Sequence, residues 1–156
     1  MSCYSASNLL AGTQQALSTA YKTLLALTAA TATLTSAEVY EIAVGADGTP
    51  ADNGLTYDLS RQTAAGTSTA ITPTLLNSAK RAAGIVGSGN FTAEGTITAA
   101  SSLWAMPLNQ RASFRWVAYG PDSELIIPAT NLAGVALRAK SPAYTGTAVG
   151  EMKFRE

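Results

Sequence analysis

The chain contains no histidine and only one cysteine, Cys3, among its 156 residues. Histidine is the commonest general base and metal-ligating side chain in proteins, so its absence excludes Ser-His-Asp and Cys-His catalytic sites. A single thiol cannot form an internal disulfide, which argues against a disulfide-built secreted domain. We therefore expect a protein that is not an enzyme and that binds no cofactor and no metal ion.

Charged residues are scarce, at 13% of the chain, whereas about 25% is typical of soluble domains. Lys and Arg together number 10, as do Asp and Glu, so the formal net charge is zero. A nucleic-acid-binding protein would carry a basic excess or stripe, so we expect no nucleic-acid partner. A surface with few charges packs readily against other proteins, because few charges must be desolvated. The composition therefore favours a protein that works within an assembly.

Long hydrophobic runs are also missing. The longest mostly apolar run, residues 24–32, is broken by threonine and is too short to span a bilayer, so we expect no membrane partner. The first residues lack a basic start followed by a long apolar run, so no signal peptide is predicted. We expect synthesis in a reducing cytoplasm.

The chain does contain short segments in which polar and apolar residues alternate. In the stretch 109–128, NQRASFRWVAYGPDSELIIP, Phe114 and Trp116 fall on one face, while Arg111 and Arg115 fall on the other. A period of two indicates a strand with one face in a core. The residues GPDS that follow are typical of a turn, and we predict that they join this strand to a second apolar strand.

Weaker copies of this pattern predict the remaining strands. They lie at residues 21–28, 38–44, 55–62, 91–98, 103–106, 135–139 and 148–155. Residues 75–83 are compatible with a short helix or with an irregular connection. About eight main strands in one domain predict an all-β fold, a jelly-roll-like antiparallel β-sandwich over residues 21–156. An immunoglobulin-like sandwich is the alternative, although its Cys…Trp…Cys spacing is absent.

The first part of the chain, residues 1–20, is rich in Ser, Ala and Gln and low in charge. One interpretation is a frayed terminus, since terminal residues are often poorly ordered. The other is an extended N-terminal arm that lies on a neighbouring subunit. We predict the arm, followed by the sandwich domain.

Acidic residues form two candidate sites, each with a simpler structural explanation. The loop carrying Asp47, Asp52 and Asn53 offers oxygen ligands for calcium, but its spacing fits no EF-hand and turns are rich in these residues. Three carboxylates on predicted strand exteriors would have to converge in pairs to support glycoside hydrolysis. They belong to Asp58, Glu94 and Glu151. We favour the structural explanations and predict no catalytic, cofactor-binding or metal-ligating residue.

Aromatic and arginine side chains form two further candidates. The rings of Trp104, Phe114, Trp116 and Tyr119 offer a platform for stacking sugars, although alternation places Phe114 and Trp116 in the core and leaves Trp104 more open to a surface role. Arg111 and Arg115 share one strand face, which is either solvated or a subunit interface, where arginine is enriched.

Several stretches resemble one family. They are NQRASFRW (109–116), ELIIPAT (124–130), SPAYTG (141–146), EMKFRE (151–156) and, in the first half, GTPADNGLTYDLSRQTAAGTSTAITP (48–73). These stretches are similar to small jelly-roll proteins encoded near the major capsid protein in tailed bacteriophages and prophages. The resemblance implies a decoration, or cement, protein on the outer surface of the virion capsid. Such proteins often form trimers at three-fold positions and clamp neighbouring capsid subunits.

The partners expected from the resemblance are the major capsid protein and further copies of the chain, with a homotrimer favoured. We expect capsid contacts in residues 1–20, 45–54 and 74–90. The alternative function is a carbohydrate- or receptor-binding jelly-roll module of a phage tail or fibre. A hydrolase remains the least favoured of the three, since it would require two converging carboxylates.

Overall fold

The computed structural model describes residues 1–31, 33–77, 81–120 and 122–156, which form twelve β-strands and one 3₁₀-helix, Asn8–Ala11. The strands are β1 (Cys3–Ser7), β2 (Lys22–Ala29), β3 (Ala37–Asp47), β4 (Gly54–Ala64), β5 (Thr67–Ile71), β6 (Thr74–Leu75), β7 (Ile85–Ala93), β8 (Thr96–Asn109), β9 (Ser113–Val117), β10 (Leu125–Ile127), β11 (Gly134–Lys140) and β12 (Thr147–Arg155). Within these ranges no helix is long and apolar enough to cross a membrane.

The strands form two sheets in which neighbouring strands are antiparallel. Sheet A has the order β10-β3-β12-β1-β6, with β9 also paired to β3, and sheet B has the order β5-β7-β2-β11-β4-β8. The main hydrophobic core draws side chains from both sheets, including Leu25 and Tyr57 of sheet B and Ile42 and Phe154 of sheet A. The predicted all-β sandwich is confirmed, with twelve strands instead of about eight. The jelly-roll connection of the strands stays a prediction.

The last strand shows why alternation was informative. Along β12 the residues Ala148, Gly150, Met152 and Phe154 are buried, and the residues between them are half-buried on the outer side. The prediction for residues 148–155 is therefore confirmed. Because side chains of a strand alternate between faces, one buried face leaves a period-two signature that needs no tertiary information.

The N-terminal segment differs from the predicted arm. Strand β1 lies within sheet A, where it pairs with β12 on one side and β6 on the other. Tyr4 and Ala6 are fully buried, and the ring of Tyr4 stacks on Phe154 with 5.2 Å between ring centroids. Asn8 continues the alternation, since its buried side chain donates to the Ala148 carbonyl and accepts from the Gly150 N–H. Residues 3–8 are thus an integral part of the sandwich.

Three local predictions are also corrected. The predicted hairpin around residues 120–123 is absent, because β9 and β10 both pair with β3 and lie end to end along one edge. Residues 91–98 are two strand ends joined by a turn, where Gly95 lies so close to the chain that a Cβ would meet the Ala64 carbonyl at 2.7 Å. Residues 103–106 and Pro107 belong to the longer strand β8.

Candidate functional site

One side of the sandwich is bounded by edge strands of the two sheets that do not pair with each other. Strand β8 is the edge of sheet B, and β9 with β10 is the edge of sheet A. The ring of Trp104 in β8 stacks on the ring of Phe114 in β9 with 5.9 Å between centroids, so aromatic side chains close the gap between the sheets. Both rings, with Trp116, are half-buried against the main core. We call this region, β8 through β10, the open side.

The strand β8 contains fourteen residues, TITAASSLWAMPLN, and none of them is charged. Edge strands present unpaired N–H and C=O groups, and proteins usually blunt them with charges, proline or bulges. Here the register with β4 is irregular between Leu59 and Ala64, and Pro107 lies in the regular part. The backbone of β8 is thus partly blunted, while its side chains form a surface that other proteins can cover without desolvating a charge.

Apolar side chains extend this surface along the edge of sheet A. Val117 of β9 and Ile126 of β10 are 47% and 43% exposed, and Tyr119 in the loop between these strands is fully exposed. The prediction from alternation that Phe114 and Trp116 face the core is confirmed, whereas the stacking platform was only an alternative interpretation of these aromatic residues. Trp104, Phe114 and Trp116 pack inward, and Tyr119 alone among the four offers a free ring.

The outer face of sheet A carries a network of ion pairs. Glu41 accepts from Arg115 Nη2 at 2.7 Å and from Lys153 Nζ at 2.8 Å. Alternation predicts Glu41 on the outer face and Tyr40 on the inner face. Glu41 does lie on the outer face, although it is only 7% exposed, whereas Tyr40 is half-buried and does not belong to the core. The register of β3 against β12 shifts by one residue here, which inserts Tyr40 as a bulge, and the two cations then cover the Glu41 carboxylate. A second cluster joins Arg155 to Glu38 and Glu124.

We expect Glu41→Gln to lower stability at neutral pH and to have a much smaller effect at pH 2.5. The hydrogen bond from Arg115 lowers the pKa of Glu41 to about 2, with the bond from Lys153 adding to this and burial opposing it. Because the pKa of Glu41 is lower in the folded state than in the unfolded state, the ionised carboxylate stabilises the fold. This stabilisation is fully present above pH 4.5 and is lost as the pH falls towards 2. The free energy of unfolding at pH 7 should fall by about 2 kcal/mol. This is less than the full pKa shift would give, because water screens the ion pair at the exposed Arg115 side chain.

Urea unfolding of the wild type and Glu41→Gln at pH 7, 4 and 2.5 measures this difference. Glu38→Gln is the matched control, because Glu38 lies on the same face with a 39% exposed side chain and should cost less. A gap between wild type and Glu41→Gln that stays constant down to pH 2.5 would contradict the linkage.

The outer face of sheet B holds a buried polar cluster that the sequence analysis did not identify. Asp58 of β4 accepts from Arg138 of β11 through Nη2 at 2.5 Å and Nε at 3.0 Å. The hydroxyls of Ser60 and Ser102 each donate to the same carboxylate at 2.6 Å. The Tyr21 ring lies 4.5 Å below the Arg138 guanidinium, a cation-π contact. The Asp58 and Arg138 side chains are 5% and 17% exposed.

This face is covered because the first half of β8 folds over it. Ile97 packs on a second small core formed by Ala26, Phe91 and Ala136. Residues 97–102 line an open groove of about 390 Å³ above Asp58, and Ala100 adopts a left-handed conformation there with φ +53°. Asp58, Ser60 and Gln62, which alternation predicts to be outside, are consequently buried. The sequence does place opposite charges, Asp58 and Arg138, at outward positions of two predicted strands. That these strands are neighbours, with Arg138 in register with Asp58, is known only from the structure.

The candidate acidic residues each have a structural partner in the fold. Asp58 belongs to the ion pair with Arg138, and Glu94 accepts from the Thr23 N–H and the Gln15 amide on sheet B. Glu151 lies on sheet A, where it accepts from the Ser5 hydroxyl. In the calcium candidate, Asp47 caps the Gly48 N–H and Asp52 forms an exposed ion pair with Arg111 at 3.4 Å. Across the described ranges, no three His, Cys, Asp or Glu side chains are grouped to hold a metal ion.

The predicted contact regions lie in different parts of the molecule. Within the predicted region 45–54, residues 48–53 form the loop between β3 and β4, where the Ala51 N–H donates to the Gln110 side chain. Residues 74–90 include β6 and most of β7, and positions 78–80 of this region lie outside the described residues. Comparison with models of protein families, with curated proteins and with solved structures finds no match to this chain.

Proposed function

We propose that the chain is a structural virion protein that decorates and stabilises the outer capsid surface of a tailed phage. In this role it clamps neighbouring major capsid subunits and acts as a homo-oligomer. The proposal starts from the resemblance to capsid decoration proteins. The single structural observation that supports it is the open side, where a fourteen-residue edge strand carries no charge.

The physical reason is the cost of desolvation. Binding to a capsid must remove water from a large area, and each unpaired charge in that area would weaken binding. The open side combines the uncharged β8 with exposed Val117, Tyr119 and Ile126, and Arg115, the one charged residue of its three strands, is paired with Glu41. Many weak contacts of this kind add up when a capsid presents the same site repeatedly. A rigid sandwich suits the task because little conformational entropy is lost on binding.

The experiment mixes the purified protein with undecorated capsids of the phage or prophage that encodes it and measures co-sedimentation. We expect saturable binding by the wild type and an at least tenfold loss of affinity for Val117→Glu/Tyr119→Asp. Leu132→Glu is the matched control, since Leu132 is about as exposed as Val117 but lies outside strands β8 to β10. Absence of binding by the wild type would sink the function. Wild-type affinity of the double variant would sink the assignment of the surface.

A carbohydrate- or receptor-binding module of a phage tail or fibre is the second candidate. The fully exposed ring of Tyr119 favours it, because sugars stack on free aromatic faces. A glycan array tests it directly. Binding of a defined glycan that Tyr119→Ala abolishes, together with failure to bind capsids, would replace the decoration function with this one.

A further inference from the structure

The outer face of sheet A has a flat centre with one charge on either side. Strand β3 runs through this centre, and its outward residues there are Ala43 and Gly45. In register with Ala43 lie Arg115 on β9 and Glu151 on β12. Neighbouring strands are about 4.8 Å apart, so the two charged residues are about 10 Å apart at their backbones, on opposite sides of β3.

Small side chains continue the flat centre in the next row. Gly45 lies between Ser113 of β9 and Val149 of β12. These residues line a shallow trough of about 400 Å³, which Arg115 and Glu151 border. A face with small residues at its centre permits a second sheet to approach closely.

Arg115 and Glu151, the two charged residues that border the trough, can each form a further ion pair. The Arg115 side chain is 63% exposed and uses one nitrogen, Nη2, to contact Glu41. Glu151 accepts from the Ser5 hydroxyl at 2.6 Å, and no basic side chain of the described residues forms an ion pair with it. A partner that suits this face must therefore present an acidic group opposite Arg115 and a basic group opposite Glu151 at the same spacing.

A second copy of the chain meets this requirement by symmetry. We propose that the outer face of sheet A is an interface between two copies, related by a two-fold axis parallel to β3 above Ala43. This rotation exchanges the two sides of β3, so Arg115 of each copy faces Glu151 of the other. Self-complementary contacts of this kind are the rule in two-fold dimers.

The position of the axis above β3 limits the size of this interface. The strands that overlap in the two copies are β9, β3 and β12, which span roughly 10 Å, and the nine residues of β12 span about 30 Å, which gives roughly 300 Å² of flat area per copy. A standard interface buries about 800 Å² of accessible surface per partner, so we expect a weak dimer that forms at high protein concentration. The interface shares β9 with the open side, because Arg115 and Val117 lie on the same face of that strand, and it predicts a dimer where the resemblance implies a trimer.

Light scattering of the purified protein alone, with variants of opposite charge, tests the proposal. We expect a wild-type dimer, and an at least tenfold weaker dimer for Arg115→Glu and for Glu151→Arg, because each single change places like charges in contact. An equimolar mixture of these two variants should form a heterodimer, since both contacts then join opposite charges. The double variant Arg115→Glu/Glu151→Arg should dimerise like the wild type.

Arg111→Glu is the matched control, because Arg111 is equally exposed at 62% but lies beyond the face, and it should leave the dimer intact. Circular dichroism of each variant verifies folding. Formation of the heterodimer in the mixture requires both variants to be folded, so it excludes misfolding as the reason for their weaker self-association. A wild-type monomer or trimer, or a mixture that stays monomeric, would overturn the proposal. Co-sedimentation with capsids is a separate measurement, so failure of the decoration function leaves this result interpretable.

Discussion

Deletion of residues 1–8 is expected to abolish cooperative folding. The deletion removes β1 from between β12 and β6, and with it the fully buried side chains of Tyr4 and Ala6. The ring of Phe154, fully buried in the wild type, would lose its stacking partner and face water. The free energy lost would exceed that of any single core substitution, and small domains are stable by only about 5–15 kcal/mol. Thermal unfolding followed by circular dichroism should show no sharp transition.

Graded variants keep this prediction testable if the deletion does not express. Tyr4→Ala should cost about 3–5 kcal/mol, as truncation of large buried aromatics does. Tyr4→Phe should cost about 1 kcal/mol, because it removes the hydroxyl that donates to the Arg81 carbonyl at 2.9 Å. Leu10→Ser, at a position 54% exposed, is the control and should change stability little. A deletion protein that melts like the wild type would restore the interpretation of residues 1–20 as an arm.

Asp58→Ala is expected to be the most destabilising change on the outer face of sheet B. It leaves the Arg138 guanidinium, whose side chain is 17% exposed, without its carboxylate, and it removes the acceptor of two serine hydroxyls. Breaking a buried ion pair from one side costs about 3–5 kcal/mol, since the remaining charge stays desolvated. Urea unfolding at pH 7 measures the loss.

Two comparisons identify the cause of that loss. Asp52→Ala breaks an exposed pair with Arg111 and should cost less than about 1 kcal/mol. Asp58→Ala/Arg138→Met removes both charges, so it should recover much of the stability that Asp58→Ala alone loses. If Asp58→Ala costs no more than Asp52→Ala, the cluster contributes nothing to the fold.

The sequence by itself determined the fold class and most of the inward-facing residues. Alternation in Leu55, Tyr57 and Leu59 and along β12 predicts strands whose buried side chains the structure confirms. This succeeds because a strand with one face in a core must alternate, whichever strands lie beside it. Composition alone, through the absence of histidine and the low fraction of charged residues, likewise led to the expectation of a role within an assembly.

Only the tertiary structure decided which strands are neighbours and what covers their outer faces. Glu41 and Asp58 alternate as solvent-facing residues, yet both are buried, because Arg115 and Arg138 reach them from strands distant in sequence. The composition of residues 1–20 suggested an arm, but β1 pairs with β12 at the far end of the chain. The period of a strand is a local property, whereas its register and neighbours depend on contacts between distant segments.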